Sequence, residues 1–186
     1  MKLLKYENAK LHNQLVFNLP VSMETCARIC PGCYALKPQQ RFPAVLAYRN
    51  ERLHASKQSD FITRITTEIQ ACRKPLAAVR IHESGEFYSQ DYISSWTTIV
   101  SSLPTVRFYA FTKRLADFDF TQLQALPNFV LINSLHTGGL NYAKAADLPT
   151  SVFTCPATTS PAQCGIDCSW CWTKCAQYLG VQFVKH

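Results

Sequence analysis

The sequence predicts an α/β domain built on a parallel sheet with helical crossovers. Three observations point there. Apolar, β-rich runs such as residues 106–111 and 129–133 alternate with segments of helical period. The connections between them are short. Polar or sulfur-bearing residues recur just past the ends of successive apolar runs, where ligands collect in parallel sheets.

Taken in order, residues 1–20 read as an extended lead-in, with residues 15–19 as the first strand. It runs into Cys26-Ala-Arg-Ile-Cys30-Pro-Gly-Cys33-Tyr34, a loop that Pro31 and Gly32 keep from becoming a helix. Residues 37–43 read as irregular. A helix then runs from Pro43, at its first turn, to Leu53. The next begins near Ser59 or Asp60 and carries Ile62, Ile65, Ile69 and Cys72 on one face, with Cys72 a buried core thiol. Residues 77–82 form a strand, followed by the turn Glu83-Ser84-Gly85-Glu86 and a helix with Tyr92, Ile93, Trp96, Ile99, Val100 and Leu103 inward. Residues 106–111 are a strand ending at Thr112-Lys113-Arg114. A short helix covers 120–126, and the strand 129–133 ends at Ser134. Beyond it, residues 141–146 read as one or two helical turns, 151–154 as a short strand ending at Cys155, and 181–184 as a closing strand.

At 186 residues, with 47% hydrophobic and 17% charged residues, the chain fits one globular domain (1–186). Residues 15–154 form its core and 155–186 a cysteine-rich extension. No apolar run reaches the length of a membrane span, and the first residues are not those of a signal peptide, so a cytoplasmic protein is expected. Nine cysteines cannot all pair, and in a reducing compartment dense thiols mean metal or catalysis rather than crosslinks. The net charge of +7 is concentrated early: residues 1–57 hold nine Lys and Arg against three acids. That is either a footprint for nucleic acid or a host protein, or a solvated face. No Walker loop, dinucleotide fingerprint or zincin motif is present.

Cys26, Cys30 and Cys33, at C-x3-C-x2-C spacing, suit three corners of a 4Fe-4S cluster whose fourth iron stays open to a small molecule. Zinc is the alternative, though it would want a fourth ligand. A second group, Cys155, Cys164, Cys168, Cys171 and Cys175, offers five thiols to a four-coordinate site, so one is spare. Zinc and iron–sulfur both remain open there. Lys113 and Arg114 either hold an anionic group of cofactor or substrate, or pair with Asp117 and Asp119. His82 reads as a hydrogen-bonded core or pocket residue rather than a ligand.

The cysteine loop resembles the cluster loop of radical S-adenosylmethionine enzymes, and Arg80-Ile81-His82-Glu83-Ser84-Gly85-Glu86 resembles that superfamily's second strand and Gly-Gly-Glu motif. More closely, R-I-H-E-S-G-E-F, a helix with a Trp, F-Y-A-F-T-K-R, I-N-S, C-P and the C-x2-C-W tail are similar to the phage-encoded gene-product-88-type family, over roughly residues 15–186. The resemblance implies a radical-SAM-like fold. Since a full (β/α) barrel takes about 250 residues, that means a partial, truncated TIM-like barrel with the cysteine-rich extension. It implies a 4Fe-4S cluster on Cys26, Cys30 and Cys33, with S-adenosylmethionine approached by Ser84, Gly85 and Glu86 and further cofactor contacts from Lys113, Asn133 and Ser134. It implies an auxiliary cluster on Cys155, Cys164, Cys168 and Cys171, with Cys175 as the spare thiol. The activity implied is reductive cleavage of the sulfonium and hydrogen abstraction from a substrate, with an electron donor as partner, in the host cytoplasm. The readings set beside it are a metal-stabilised binding module for nucleic acid or a host protein, and an electron-transfer or redox-sensing iron–sulfur protein.

Overall fold

The computed structural model describes residues 2–8, 11–27, 33–134, 140–142, 153–154, 164, 166–173 and 180–182. Its strands, in chain order, are β1 (Lys5–Tyr6), β2 (Gln14–Phe17), β3 (Ala78–Ile81), β4 (Phe108–Thr112), β5 (Phe129–Ser134), β6 (Leu140–Tyr142), β7 (Phe153–Thr154) and β8 (Gly180–Gln182). The helices are α1 (Met23–Cys26), α2 (Leu36–Arg41), α3 (Pro43–Ser56), α4 (Phe61–Gln70), α5 (Gln90–Ser102), α6 (Thr121–Gln124) and α7 (Trp170–Thr173). One sheet runs in the order β1-β2-β3-β4-β5-β6-β8-β7. Its centre, β2 to β5, is parallel and sequential, with α1–α4, α5 and α6 on the connections.

Alternation along the central strands sorts their side chains onto two faces. Leu15, Phe17, Val79, Ile81, Phe108, Ala110 and Leu131 share one core with the buried faces of α4 and α5. Its centre is aromatic: Trp96 lies 5.5 Å from Phe17 and 5.7 Å from Phe61, ring centre to ring centre, both edge-on. The opposite face carries Ala78, Tyr109, Phe111 and Val130, and Trp172 of α7 packs onto it. Helix α4 follows its stripe of Phe61, Ile65 and Ile69, and Cys72 packs partly buried just beyond its end.

The expected partial barrel is corrected here. The sheet is open, with β1 and β7 as its two ends. The sequential βα units of β2 to β5 are the same pattern that begins a barrel, which is why the sequence suggested one. After β5 that pattern stops: β6 pairs antiparallel with both β5 and β8, and β1 closes the other flank antiparallel to β2. The face that a barrel would enclose is instead covered by Trp172 and the tail cysteines Cys164 and Cys171.

Two local readings also change. The stretch read as irregular from residue 37 contains α2, because Pro38 sits in the first helical turn, where no backbone donor is needed. Residues 141 and 142, at the start of the segment read as helical turns, belong instead to the strand β6.

Because Trp96 is fully buried amid rings, Trp96→Ala is expected to lower stability by about 3–5 kcal/mol. Thr98→Ala, on the solvent side of the same helix, should change it by less than about 0.5 kcal/mol. Urea unfolding of the two variants beside wild type checks this.

Candidate functional site

Two turns at the carboxyl ends of β2 and β3 are locked together. The buried Asn18 Oδ1 accepts from the backbone N–H of Glu83 at 2.8 Å and of Ser84 at 3.1 Å. Leu19 N–H donates to Ser84 O at 3.0 Å, and Ser84 Oγ donates to Leu19 O at 2.9 Å. Gly85 has φ +79°, and a Cβ there would lie 2.5 Å from Leu19 Cβ. Glycine is therefore demanded by the packing of one turn on the other. His82 also takes a left-handed φ of +66°. Its ring is held among Phe17, Phe87 and Tyr92, with Nε2 and Tyr92 Oη 2.8 Å apart. Burial, and then the Arg80 charge, push His82 down to about 3, so it is neutral at ordinary pH.

From this clasp the chain enters α1, capped by Ser22 Oγ accepting from Thr25 N–H at 3.2 Å. Cys26 ends α1, and Ala27 follows with φ +57°. The returning arm is tied to the outgoing one by Gln39, whose Oε1 accepts from Val21 N–H at 2.8 Å and whose Nε2 donates to Val21 O at 3.0 Å. Arg49 braces both, donating to Ala35 O at 2.8 Å and Gln39 Oε1 at 3.1 Å. As a result Cys26 and Cys33 line one pocket with Gly85, Glu86, Lys113 and Ser134, at the carboxyl ends of the parallel strands. The pocket is a cleft that opens to solvent, with a cavity volume of about 120 Å³.

Glu86 is the pocket's most perturbed acid. Burial raises it from an ordinary 4.5 to about 7, although Thr112 Oγ1 donates to it at 2.8 Å and Lys113 N–H at 3.2 Å. Cys26 is also pushed up by burial, so its thiol stays protonated until a metal or base takes the proton.

The tail approaches the sheet from the other face. The Cys164 backbone makes isolated parallel β-bridges with Leu11 and with Cys168, both cysteines being free thiols, and its carbonyl accepts from His12 N–H at 2.8 Å. Gln14 Nε2 lies 3.5 Å from Cys164 Sγ. Cys171 and Trp172 follow in α7, with the Trp172 ring 5.1 Å from that of Tyr109.

A family model described as gene product 88 matches residues 1–158. The chain belongs to the gene product 88 family. Curated relatives include the Gene 88 proteins of Mycobacterium phages L5 and D29, 25% identical over 134 residues and 26% over 135. In each case the match covers 69% of this chain and 56% of the relative, so the chain spans about half the length of the curated relatives it matches. No solved structure matches it. The phage affiliation expected from the sequence is thus supported by family and relatives together.

For this gene product 88 chain, the residues expected at the site divide as follows. Cys26, Cys33, Gly85, Glu86, Lys113 and Ser134 come together. Ser84 is buried, its hydroxyl spent on Leu19, and neither it nor Asn133, which sits opposite Thr112 in the β4–β5 ladder, lines the pocket. Cys164 and Cys168 are neighbours, with Cys171 on the same face of the sheet. Cys30, Cys155 and Cys175 lie outside the described residues. Among the described residues, no three His, Cys, Asp or Glu side chains group closely enough to hold a metal. Two soft thiol donors, Cys26 and Cys33, line one pocket, fewer among the described residues than a metal centre needs. Sequence reasoning missed Arg80, Tyr34 and Phe111, which also line it. Arg80 could have been found: a charge inside an apolar strand is rare without a purpose.

Among the described early basic residues, two are buried and one is paired. Arg49 and Arg52 point inward, Arg52 donating from Nε to Leu3 O at 3.0 Å, and Lys57 pairs with Glu24. No described helix is long and apolar enough to cross a membrane.

Glu86 binds its proton more tightly folded than unfolded, so its contribution is complete below about pH 4.5 and is lost as pH rises through about 7. The stability of wild type minus that of Glu86→Gln should therefore fall by about 1–3 kcal/mol across that window. Denaturant unfolding at a series of pH values measures it.

Proposed function

We propose that this pocket holds a 4Fe-4S cluster on Cys26, Cys30 and Cys33, and that S-adenosylmethionine binds beside it against the Gly85–Glu86 turn. The reading rests on one observation: Cys26 and Cys33, from the two ends of the cysteine loop, line the same pocket as Glu86. When bound, such a group supplies an electron and an iron vertex free of protein ligand. The chain's residues do the rest. Cys26 and Cys33 bind as thiolates, so loading releases protons and is weaker in acid. Glu86 keeps lone pairs beyond those used by Thr112 and Lys113, and they suit an ammonium group on the ligand. The hydroxyl of Ser134 offers a further polar contact, while Phe111 and Ala35 supply apolar wall.

Cys164, Cys168 and Cys171, with Cys155, hold a second metal group on the far face of the sheet. Iron–sulfur and zinc are separated there by analysis rather than by ligand type, since four thiolates suit both. A reducing host cytoplasm suits a chain whose described thiols are free. An electron donor is then a required partner. The inward turn of Arg49 and Arg52 takes support from the nucleic-acid reading.

Anaerobic reconstitution with iron and sulfide tests this. Wild type should take up about four iron per cluster with a brown charge-transfer absorbance, and Cys26→Ala or Cys33→Ala should lose the loop's share. With dithionite and S-adenosylmethionine, the loaded protein should release 5′-deoxyadenosine. A colourless protein with stoichiometric zinc and no iron uptake would overturn the proposal.

A further inference from the structure

The corner between α2 and α3 presents a surface that the described chain leaves uncovered. Of the five large apolar side chains exposed among the described residues, three lie between positions 34 and 46, so bare apolar surface is concentrated there rather than scattered. Phe42 is 50% exposed at the corner itself, and Leu46, 37% exposed, follows one turn later in α3. The Arg41 guanidinium lies 5.3 Å from the centre of the Phe42 ring. Lys37 stands one turn before Arg41 in α2, and side chains at that spacing share a helix face, about 5–6 Å apart at Cβ. Lys37, Arg41, Phe42 and Leu46 therefore form one continuous strip of two cations and two apolar side chains.

The strip has no acid of its own. The sequence carries no Asp or Glu between Glu24 and Glu51, and among the described residues neither Lys37 nor Arg41 pairs with a carboxylate. Two like charges one helical turn apart repel each other, and a carboxylate from outside relieves both. The corner is also braced. Pro38 and Pro43 sit in the first turns of α2 and α3, and Phe42 N–H donates to Pro38 O at 3.0 Å. Arg49 of α3 reaches back to Ala35 O at 2.8 Å and Gln39 Oε1 at 3.1 Å. A surface fixed in this way docks a partner with little ordering cost.

We infer that this corner docks a protein segment in which carboxylates surround an apolar anchor. A nucleic-acid strand fits it less well. Two cations make a short phosphate track, Leu46 offers no ring for a base to stack on, and Arg41 already lies over the Phe42 ring. The strip uses none of the thiols and none of the pocket's polar residues, so it stands or falls apart from the cluster proposal.

Fluorescence anisotropy on the intact chain tests this with a labelled glutamate peptide carrying a leucine at every fourth position. The comparisons are the same peptide with serine in place of leucine, and an oligothymidylate of equal charge. Wild type should bind the leucine peptide most tightly of the three. Lys37→Glu combined with Arg41→Glu should weaken it about tenfold or more. Arg73→Glu combined with Arg107→Glu makes the same change in net charge at exposed positions elsewhere, and should weaken it less than about twofold. Phe42→Ser, with serine suited to the helix-cap position it would fill, and Leu46→Ser should each reduce the preference for leucine over serine. If the Lys37 and Arg41 double variant fails to fold, the Phe42 and Leu46 variants carry the test. Equal losses in the two double variants, equal binding of the leucine and serine peptides by wild type, tighter binding of the oligothymidylate, or no binding at all would each overturn the inference.

Discussion

The structure depends on a clasp between two turns. Asn18 and Leu19, at the end of β2, exchange hydrogen bonds with Glu83 and Ser84, just past the end of β3. Parallel pairing of β2 with β3 already aligns the strands, but it says nothing about where their following loops go. The clasp decides that. It turns one loop toward Cys26 and the other toward Glu86, and the Gly85–Leu19 contact leaves no room for a side chain between them. The left-handed backbone at His82 costs energy, and the aromatic enclosure of that ring offsets it.

The candidate site follows from having two differently clothed faces on one open sheet. The helix-covered face is conventional core. The other holds Arg80, Tyr109 and Phe111 under a tail that brings Cys164 and Trp172 onto the sheet. Arg80 therefore stands on the tail-covered face while also lining the pocket of the loop thiols. An open sheet is consistent with this use: a closed interior would fill with layered side chains, whereas here that face receives a chain segment rich in sulfur.

Much of this was legible in the sequence, for physical reasons that differ by element. The central strands and α4 and α5 were readable because their periods are strong: Ile65 and Ile69 repeat on one helical face, and Val79 and Ile81 alternate with Ala78 and Arg80. Cys26, Glu86, Lys113 and Ser134 were readable as a set because all stand at or just beyond strand ends or in the loop the strands frame. What was not legible depends on long-range pairing. Nothing local in the β6 residues says they turn back antiparallel, and that single reversal separates an open sheet from the expected barrel. Ser84 looked like a ligand contact by position, yet its hydroxyl is consumed by a partner far away in sequence, Leu19. Arg49 and Arg52 counted as surface charge in composition but act as internal braces.

Amide hydrogen exchange in Asn18→Ala tests the clasp most directly. Removing the Oδ1 acceptor frees the N–H groups of Glu83 and Ser84 and unties the turn from which the cysteine arm departs. Faster exchange is expected together in residues 82–87 and 19–26, with β4 and β5 as protected as in wild type. Faster exchange confined to residue 18 and its immediate neighbours, with the Glu83–Glu86 turn unchanged, would contradict the account.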